Sequence, residues 1–473
     1  MSSKMSDKEL SFTPAYQLER LIRSQQLSPV KLMEVTLKRI KEISPKLNAY
    51  LTVPEEDAMA AARQAEKKVE SGEPLGILHG LPISIKDLIP TKGIRTTMGS
   101  LVYKDLIPKS EGTAMQRIRE AGAIIVGKTN AAEIGTAIQT RNKLGDDCRN
   151  PWNTEMTPGG SSGGAAAAMA AGISPLSLGS DGGGSVRIPS AFCGLFGMKP
   201  SYGRIPKDYA DWGMSHTLTF GPLSWTVRDA AMMMNVMSGS DGLDYTCIRT
   251  SPPDFVKELD GDLRQLRIAW TPDMGYDVKV DPEIRAAVES AVNVFKELGH
   301  QVTQDVPDTG MPFDTFDATI ATRNSIPLGF LLDEHPDDIM PYNKLQFETG
   351  RSVSGVELAK AWVHVEKIRW AYRDFFQKYD LLITPSTAIP AFPVGSKDRS
   401  LGRGFFDWAF APFTCIFNLT GSPAASVPCG FSSKGLPIGM QLVGPLEDDV
   451  TVMCAAAAFE KARPWTTKRP PIS

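Results

Sequence analysis

The spacing of apolar residues changes character near residue 79. Before it, VKLMEVTLKRIKEI at 30–43 brings Leu32, Val35, Ile40 and Ile43 near one face of a helix. Ser28-Pro29 ahead of that run reads as an N-cap followed by proline at the first helical position. Pro54 opens a second helix, PEEDAMAAARQAEKKVE, with acids in its first turn and lysines near its end, as the helix dipole favours. Beyond His79, short apolar runs alternate with helical ones: LPISIKDLI, TAMQRIREAG, AIIVGK. That alternation predicts an α/β sandwich. The expected organisation is an N-terminal helical segment over 1–70 packed on one large domain over 71–473. Within the latter, 300–360 and 391–412 are rich in Pro, Phe and Asp and show no clear period. They read as irregular insertions on the core, a usual place for loops that shape a substrate site. No internal repeat is visible.

Composition narrows the function classes. The chain has 473 residues, 42% hydrophobic and 22% charged, with a formal net charge of −3. That is an ordinary globular balance, without the basic excess that nucleic acid or an anionic membrane would call for. A chain of this size buries a sizeable core without metal or disulfide staples. Cys148, Cys193, Cys247, Cys415, Cys429 and Cys454 form no CxxC pair and no Cys/His cluster, so no disulfide framework, metal site or cofactor is expected. MSSKMSDKEL lacks an apolar signal core, and no apolar run approaches the roughly 18 residues of a membrane span. The reading is a soluble cytoplasmic protein, monomer or homodimer.

Three segments compete to carry chemistry. Gly122-Ala-Ile-Ile-Val-Gly127-Lys128-Thr129 fits the phosphate loop GxxxxGK[ST], but a phosphate cradle is a turn of converging amides and Ala-Ile-Ile-Val is strand material. Gly159-Gly160-Ser161-Ser162-Gly163 fits the GxSxG nucleophile elbow, which needs a strand before the serine and a histidine partner. RNPWNTEMTP upstream reads as loop, and His216, His300, His335 and His364 have no motif around them. An esterase-like use of Ser161 remains an alternative.

The third segment, 157–194, holds two serines in Gly-rich turns, Ser161 and Ser185. A helix over 163–172 and a returning strand over 175–179 have similar lengths of roughly 15 Å, so the chain can go out and come back. Asp181-Gly182-Gly183-Gly184-Ser185 lets successive amides converge on one point, as an oxyanion hole requires. With histidine so scarce, a buried neutral lysine is the alternative base. Lys86 in Leu81-Pro-Ile-Ser-Ile-Lys86-Asp87 is the best candidate, with Leu81, Ile83 and Ile85 on one strand face and Ser84 and Lys86 on the other. Ser28-Pro-Val-Lys31 is a formal SxxK, but it begins a surface helix without companion motifs.

GGSSGG at 159–164, SDGGGSVRIPSAFCG at 180–194 and GLPISIKD at 80–87 together resemble the hallmark segments of the amidase signature family. The similarity continues through AGAIIVGKTN, RNPWN, GMKPSYGRIP and TFGPLSWTVRDAA, and resumes in FNLTGSPAASVPCGFSSKGLPIGMQLVGP at 417–445. The resemblance implies an α/β/α fold around a large mixed sheet and a Ser–cis-Ser–Lys triad. By position, Ser185 would be the nucleophile, Ser161 the bridging serine after a cis peptide, and Lys86 the base. The amides of Gly182, Gly183, Gly184 and Ser185 would form the oxyanion hole, with Ser162, Asp181 and Arg187 holding the triad in place. One departure is Gly182, where many relatives carry Thr or Ile.

The family covers hydrolases of fatty, aryl and aliphatic amides, carbamate-cleaving relatives, and the glutaminase subunit of tRNA-dependent amidotransferases. FFDWAFAPF at 405–413 and DYADWGMSHTLTF at 208–220 are aromatic and Met-containing, which suits an apolar or aryl group better than glutamine. The expectation is a stand-alone amidase on hydrophobic or aryl amides, with esters and carbamates as further substrates. The main alternative is the glutaminase of an amidotransferase, which works with partners.

Overall fold

The computed structural model describes residues 5–207, 216–397 and 402–472. Helix Pro29–Leu47 starts where predicted, with the Ser28 hydroxyl accepting from Lys31 N–H and Leu32, Val35, Ile40 and Ile43 buried. Helix Glu55–Glu70 follows, its first turn acidic and its last turn basic. Between them Tyr50–Thr52 forms a short strand, β1, so the segment expected to be helical also contributes an edge to the sheet.

Among the described residues that sheet has eleven strands, drawn from Tyr50 to Val443. In sequence they are β1, β2 (Pro82–Lys86), β3 (Ile124–Thr129), β4 (Leu176–Asp181), β5 (Phe196–Lys199), β6 (Thr219–Ser224), β7 (Arg267–Trp270), β8 (Gln301–Gln304), β9 (Leu381–Pro385), β10 (Ala424–Phe431) and β11 (Pro437–Val443). Their spatial order is β1-β3-β2-β4-β6-β5-β10-β11-β9-β7-β8. β3-β2-β4 and β9-β7-β8 pair in parallel, and all other neighbours are antiparallel.

Period-two alternation assigns the faces. Ile83, Ile85, Leu176, Leu178, Leu381 and Ile383 point into one core, against helices Ala15–Arg23, Val227–Met237, Pro282–Glu297 and Asp449–Ala462. Val126, Leu223, Leu382 and Val443 point the opposite way, where helices Gly163–Ala170 and Arg187–Cys193 lie over the centre of the sheet. With both faces covered, a polar side chain on a central strand is buried unless a cavity reaches it. No helix among the described residues is long and apolar enough to cross a membrane.

The region 300–360 departs from its expected irregularity. It contains helices Phe313–Leu328 and Pro341–Ser352 and the start of a long helix, Gly355–Lys378. The first packs against the other two and against the cavity described below. Buried residues consequently fall all round it, from Phe313 through Thr315, Phe316, Asp317 and Thr319 to Asn324, and leave no amphipathic stripe to read. Residues 391–412 do stay irregular where described, apart from the single turn Trp408–Phe410.

Candidate active site

β2 and β4 run side by side in parallel, which brings Lys86 and Asp181 to the same, C-terminal, edge of the sheet. Open α/β sheets bind ligands at that edge. Lys86 is fully buried, and its Nζ donates to Ser161 Oγ at 2.7 Å, Ser180 O at 3.1 Å and Ser180 Oγ at 3.0 Å. Among the described residues, no carboxylate touches it. Burial therefore pulls its amine down from an ordinary 10.5 to about 7, with Asp181 opposing the drop from further away.

Ser161 follows a cis Gly160–Ser161 peptide, and the stretch immediately before it is not strand, so the setting of a nucleophile elbow is missing. Helix Gly163–Ala170 leads away from it and β4 returns, as the predicted out-and-back path required. The Ser162 N–H donates to Ser185 O at 3.2 Å, tying the two serine turns together. The Ser162 hydroxyl donates to Ser180 O at 3.4 Å. Ser161, Ser180, Gly182, Gly183 and Ser185 open on one cavity, Ser161 almost wholly buried and Ser185 half-buried.

Asp181 and Arg187 organise the turn between them. Arg187 is fully buried and grips the carboxylate through Nε to Oδ2 at 3.0 Å and Nη2 to Oδ1 at 2.8 Å. Its remaining donors reach Thr414 O at 2.9 Å, Gln441 Oε1 at 2.7 Å and Asn418 Oδ1 at 2.6 Å. Asp181 in turn accepts from Gly184 N–H at 2.8 Å and Val186 N–H at 3.1 Å. Burial alone would raise that carboxyl, but Arg187 and Asn418 hold it well below the usual carboxylate range. The contact corrects one detail of the expected oxyanion hole: the Gly184 amide is committed to Asp181. Among the described residues, the amides of Gly182, Gly183 and Ser185 have no protein partner. Gly184 sits at φ +134°, and a Cβ there would overlap Thr414 Oγ1, so glycine is required.

The cavity wall is largely apolar, with Leu88, Ile134, Ile138, Phe316, Phe406 and Trp408 among its residues. Lys207 and Arg323 supply cationic groups at the same cavity. Burial lowers Lys207 to about 8 and Arg323 to about 10. Of the two aromatic segments expected to form walls, 405–413 divides: Phe406 and Trp408 face the cavity, whereas Phe413 lies in the core and Phe410 packs on Phe392 at 4.1 Å. In 208–220, residues 208–215 lie outside the described residues, and Leu218 and Phe220 line the cavity.

The phosphate-loop match at 122–129 is strand β3. Lys128 within it is buried, donating to Thr91 Oγ1 at 2.7 Å, Thr96 Oγ1 at 3.1 Å and Ile89 O. It pins the loop after β2 rather than facing solvent. The sequence reading missed Ser180, Thr414, Asn418 and Gln441. Ser180 is adjacent to the glycine run and could have been found there. The other three come from residues more than 200 positions away and carry no local signal.

A lysine–serine pair under a nest of free amides defines a class, acyl transfer through a hydroxyl nucleophile. Comparison with known proteins identifies the family: the model of the family described as Amidase matches residues 31–453, and the chain belongs to it. An acylamidase of Rhodococcus erythropolis is 34% identical, over 98% of this chain and 98% of its own length. A glutamyl-tRNA(Gln) amidotransferase subunit from Geobacillus thermodenitrificans is 36% identical, over 96% of this chain and 98% of its own. Among solved structures, a bacterial aryl acylamidase of the amidase signature family superposes with a TM-score of 0.89 at 30% identity, over 96% of this chain and 97% of its own. The protein is an amide-hydrolysing enzyme of α/β fold.

Proposed function

We propose that the chain hydrolyses hydrophobic or aryl amides by itself, through an acyl-enzyme on Ser185 generated by Ser161 and neutral Lys86. The observation that carries this reading is the 2.7 Å contact of Lys86 Nζ with Ser161 Oγ inside a fully buried site. When the amine is neutral, its two N–H bonds to Ser180 O and Oγ leave the lone pair towards Ser161. Ser161 passes its proton to Lys86 as it takes one from Ser185, and Ser185 Oγ attacks the carbonyl carbon. Negative charge collects on the carbonyl oxygen, facing the amides of Gly182, Gly183 and Ser185. Collapse breaks the C–N bond, the amine leaves with the proton relayed back through Ser161, and water then hydrolyses the ester by the reverse relay.

The apolar stretch of wall formed by Leu88, Ile134, Ile138, Phe316, Phe406 and Trp408 supports an aryl or bulky alkyl group on the substrate, since a polar side chain set against those residues would leave hydrogen bonds unmade. Likeness to an acylamidase and an aryl acylamidase points the same way. The purified chain alone, assayed with p-nitroacetanilide, propionamide, an aryl carbamate and glutamine, is expected to turn over the anilide with the highest kcat/KM. Preferred turnover of glutamine, or turnover only after partner proteins are added, overturns the stand-alone reading. Ser185→Ala is expected to cost at least about a thousandfold in kcat.

A further inference from the structure

One buried carboxylate next to the cavity has no part in the relay. Asp317 lies in helix Phe313–Leu328, immediately after the wall residue Phe316, and is fully buried. Its two oxygens meet two different donors of one distant segment: Oδ1 accepts from Trp408 Nε1–H at 2.9 Å, and Oδ2 accepts from Arg403 N–H at 2.7 Å. Gly402 runs so close that a Cβ there would press on Oδ2. The carboxylate thus stitches an otherwise irregular stretch, 402–408, to a helix.

That stretch carries part of the cavity wall. The Trp408 indole stands edge-on to Phe316, with ring centroids 5.2 Å apart at 88°, and packs against Phe406 at 4.8 Å. Both Phe316 and Trp408 abut Gly183, where a Cβ would come within 2.9 Å of Phe316 Cζ and 3.4 Å of Trp408 Cη2. The chain of contact therefore runs from Asp317 through Trp408 to the amide nest beside Ser185. Arg403 and Asp314 are the charged groups that act on Asp317, in opposite directions, and burial raises its carboxyl to about 7.

We propose that Asp317 is a specificity-determining positioning residue: by holding both the Trp408 indole and the Arg403 backbone, it fixes an aromatic wall against Gly183 that selects amides bearing a flat apolar group. Both partners are N–H donors, so the ionised carboxylate, with two acceptor oxygens, is the form that holds both, and the comparison is made above pH 8. Asparagine offers one oxygen and one NH₂, so Asp317→Asn turns one of the two contacts into donor against donor. A small aliphatic amide presents no flat group to that wall, so its turnover is expected to change little as long as Gly183 stays in place.

The inference rests on the amidase reading, and its test separates the two. The first measurement is the ratio of kcat/KM for p-nitroacetanilide to that for propionamide, in which the common Lys86–Ser161–Ser185 chemistry cancels. Asp317→Asn is expected to lower the ratio about tenfold, mainly through KM of the anilide, the scale of one buried donor left unmet. Trp408→Phe keeps an aromatic ring and loses the N–H, and is expected to lower the ratio similarly, with little further loss in the double variant. It serves where Asp317→Asn does not fold. The second measurement needs no turnover: in a Ser185→Ala background, calorimetric Kd of p-nitroacetanilide rises about tenfold on adding Asp317→Asn, the same buried donor being lost. A ratio and a Kd within twofold of the parent, or equal losses for both amides, overturn the proposal. If the parent hydrolyses neither amide, the amidase reading fails and the Kd comparison still decides the role of Asp317.

Discussion

Lys86 offers the sharpest perturbation, because the proposed role as a base depends on being neutral in a place where no carboxylate among the described residues touches it. Its amine moves from an ordinary 10.5 to about 7, and the first cause is burial. That difference amounts to about 5 kcal/mol in favour of the neutral form. An exposed lysine would be neutral in only roughly one molecule in three thousand at pH 7, whereas Lys86 at about 7 would be neutral in about half, so the buried setting, net of the opposing Asp181 charge, raises the neutral fraction more than a thousandfold. The sign follows directly: kcat/KM for a neutral amide rises with pH through about 7 and levels off above it. At pH 5 it is expected to stand roughly a hundredfold below the plateau. Lys86→Arg supplies the control, since a guanidinium keeps the charge and can donate to Ser161 but cannot give up its proton. It is expected to be as inactive as Lys86→Met, at least about a thousandfold down at every pH. A kcat/KM that is flat between pH 5 and 9, or a Lys86→Arg enzyme within tenfold of wild type, refutes the assignment of Lys86 as base.

Further outcomes follow from the surrounding contacts. Arg187→Met leaves Asp181 charged, buried and unpaired, and is expected to cost about 3–5 kcal/mol in urea unfolding together with most of the activity; a loss below about 1 kcal/mol contradicts the role given to the pair. Gly184→Ala combines a φ of +134° with overlap on Thr414 Oγ1, so the nest is displaced and kcat is expected to fall about a hundredfold, the scale of one oxyanion donor. Lys199 is fully buried, donates to Pro200 O at 3.0 Å, and has its amine lowered by burial to about 7. Because the unfolded chain binds that proton more tightly, the penalty is fully present below pH 7 and disappears as pH rises towards 10.5. Lys199→Met is therefore expected to stabilise the protein at pH 6 by about 1–3 kcal/mol, with the gain vanishing near pH 10; an equal change at both pH values would sink this account.

How much of this was legible depends on where the information sits in the chain. Lys86, Ser161 and Ser185 could be read because each lies in a short segment whose composition is odd for its position: a lysine in a strand, serines among glycines. β3 could be read because Ile-Ile-Val has no business in a phosphate loop. Helix Phe313–Leu328 could not, since unbroken burial over 315–321 erases its period. Helix Gly355–Lys378 did carry signals, a Ser354–Glu357 capping box and buried residues at 361, 365, 368, 372 and 375. The commitment of the Gly184 amide to Asp181 was hidden for another reason. A run of glycines says that amides can converge, but which of them faces outward is set by Arg187, Asn418 and Gln441, the last two brought in from the helix before β10 and from β11. Asp317 was invisible because its partners, Arg403 and Trp408, are some 90 residues away.

The central claim is that Ser185 carries the acyl group. Incubating the enzyme with p-nitrophenyl acetate, quenching in acid during the initial burst and sequencing the peptides by mass spectrometry reads this directly. The account predicts one acetyl group per chain, placed by fragment ions on Ser185 itself, absent from Ser185→Ala and much slowed in Lys86→Met. An acetyl group on Ser161 in the wild type, or stoichiometric labelling of Ser185→Ala, would contradict it.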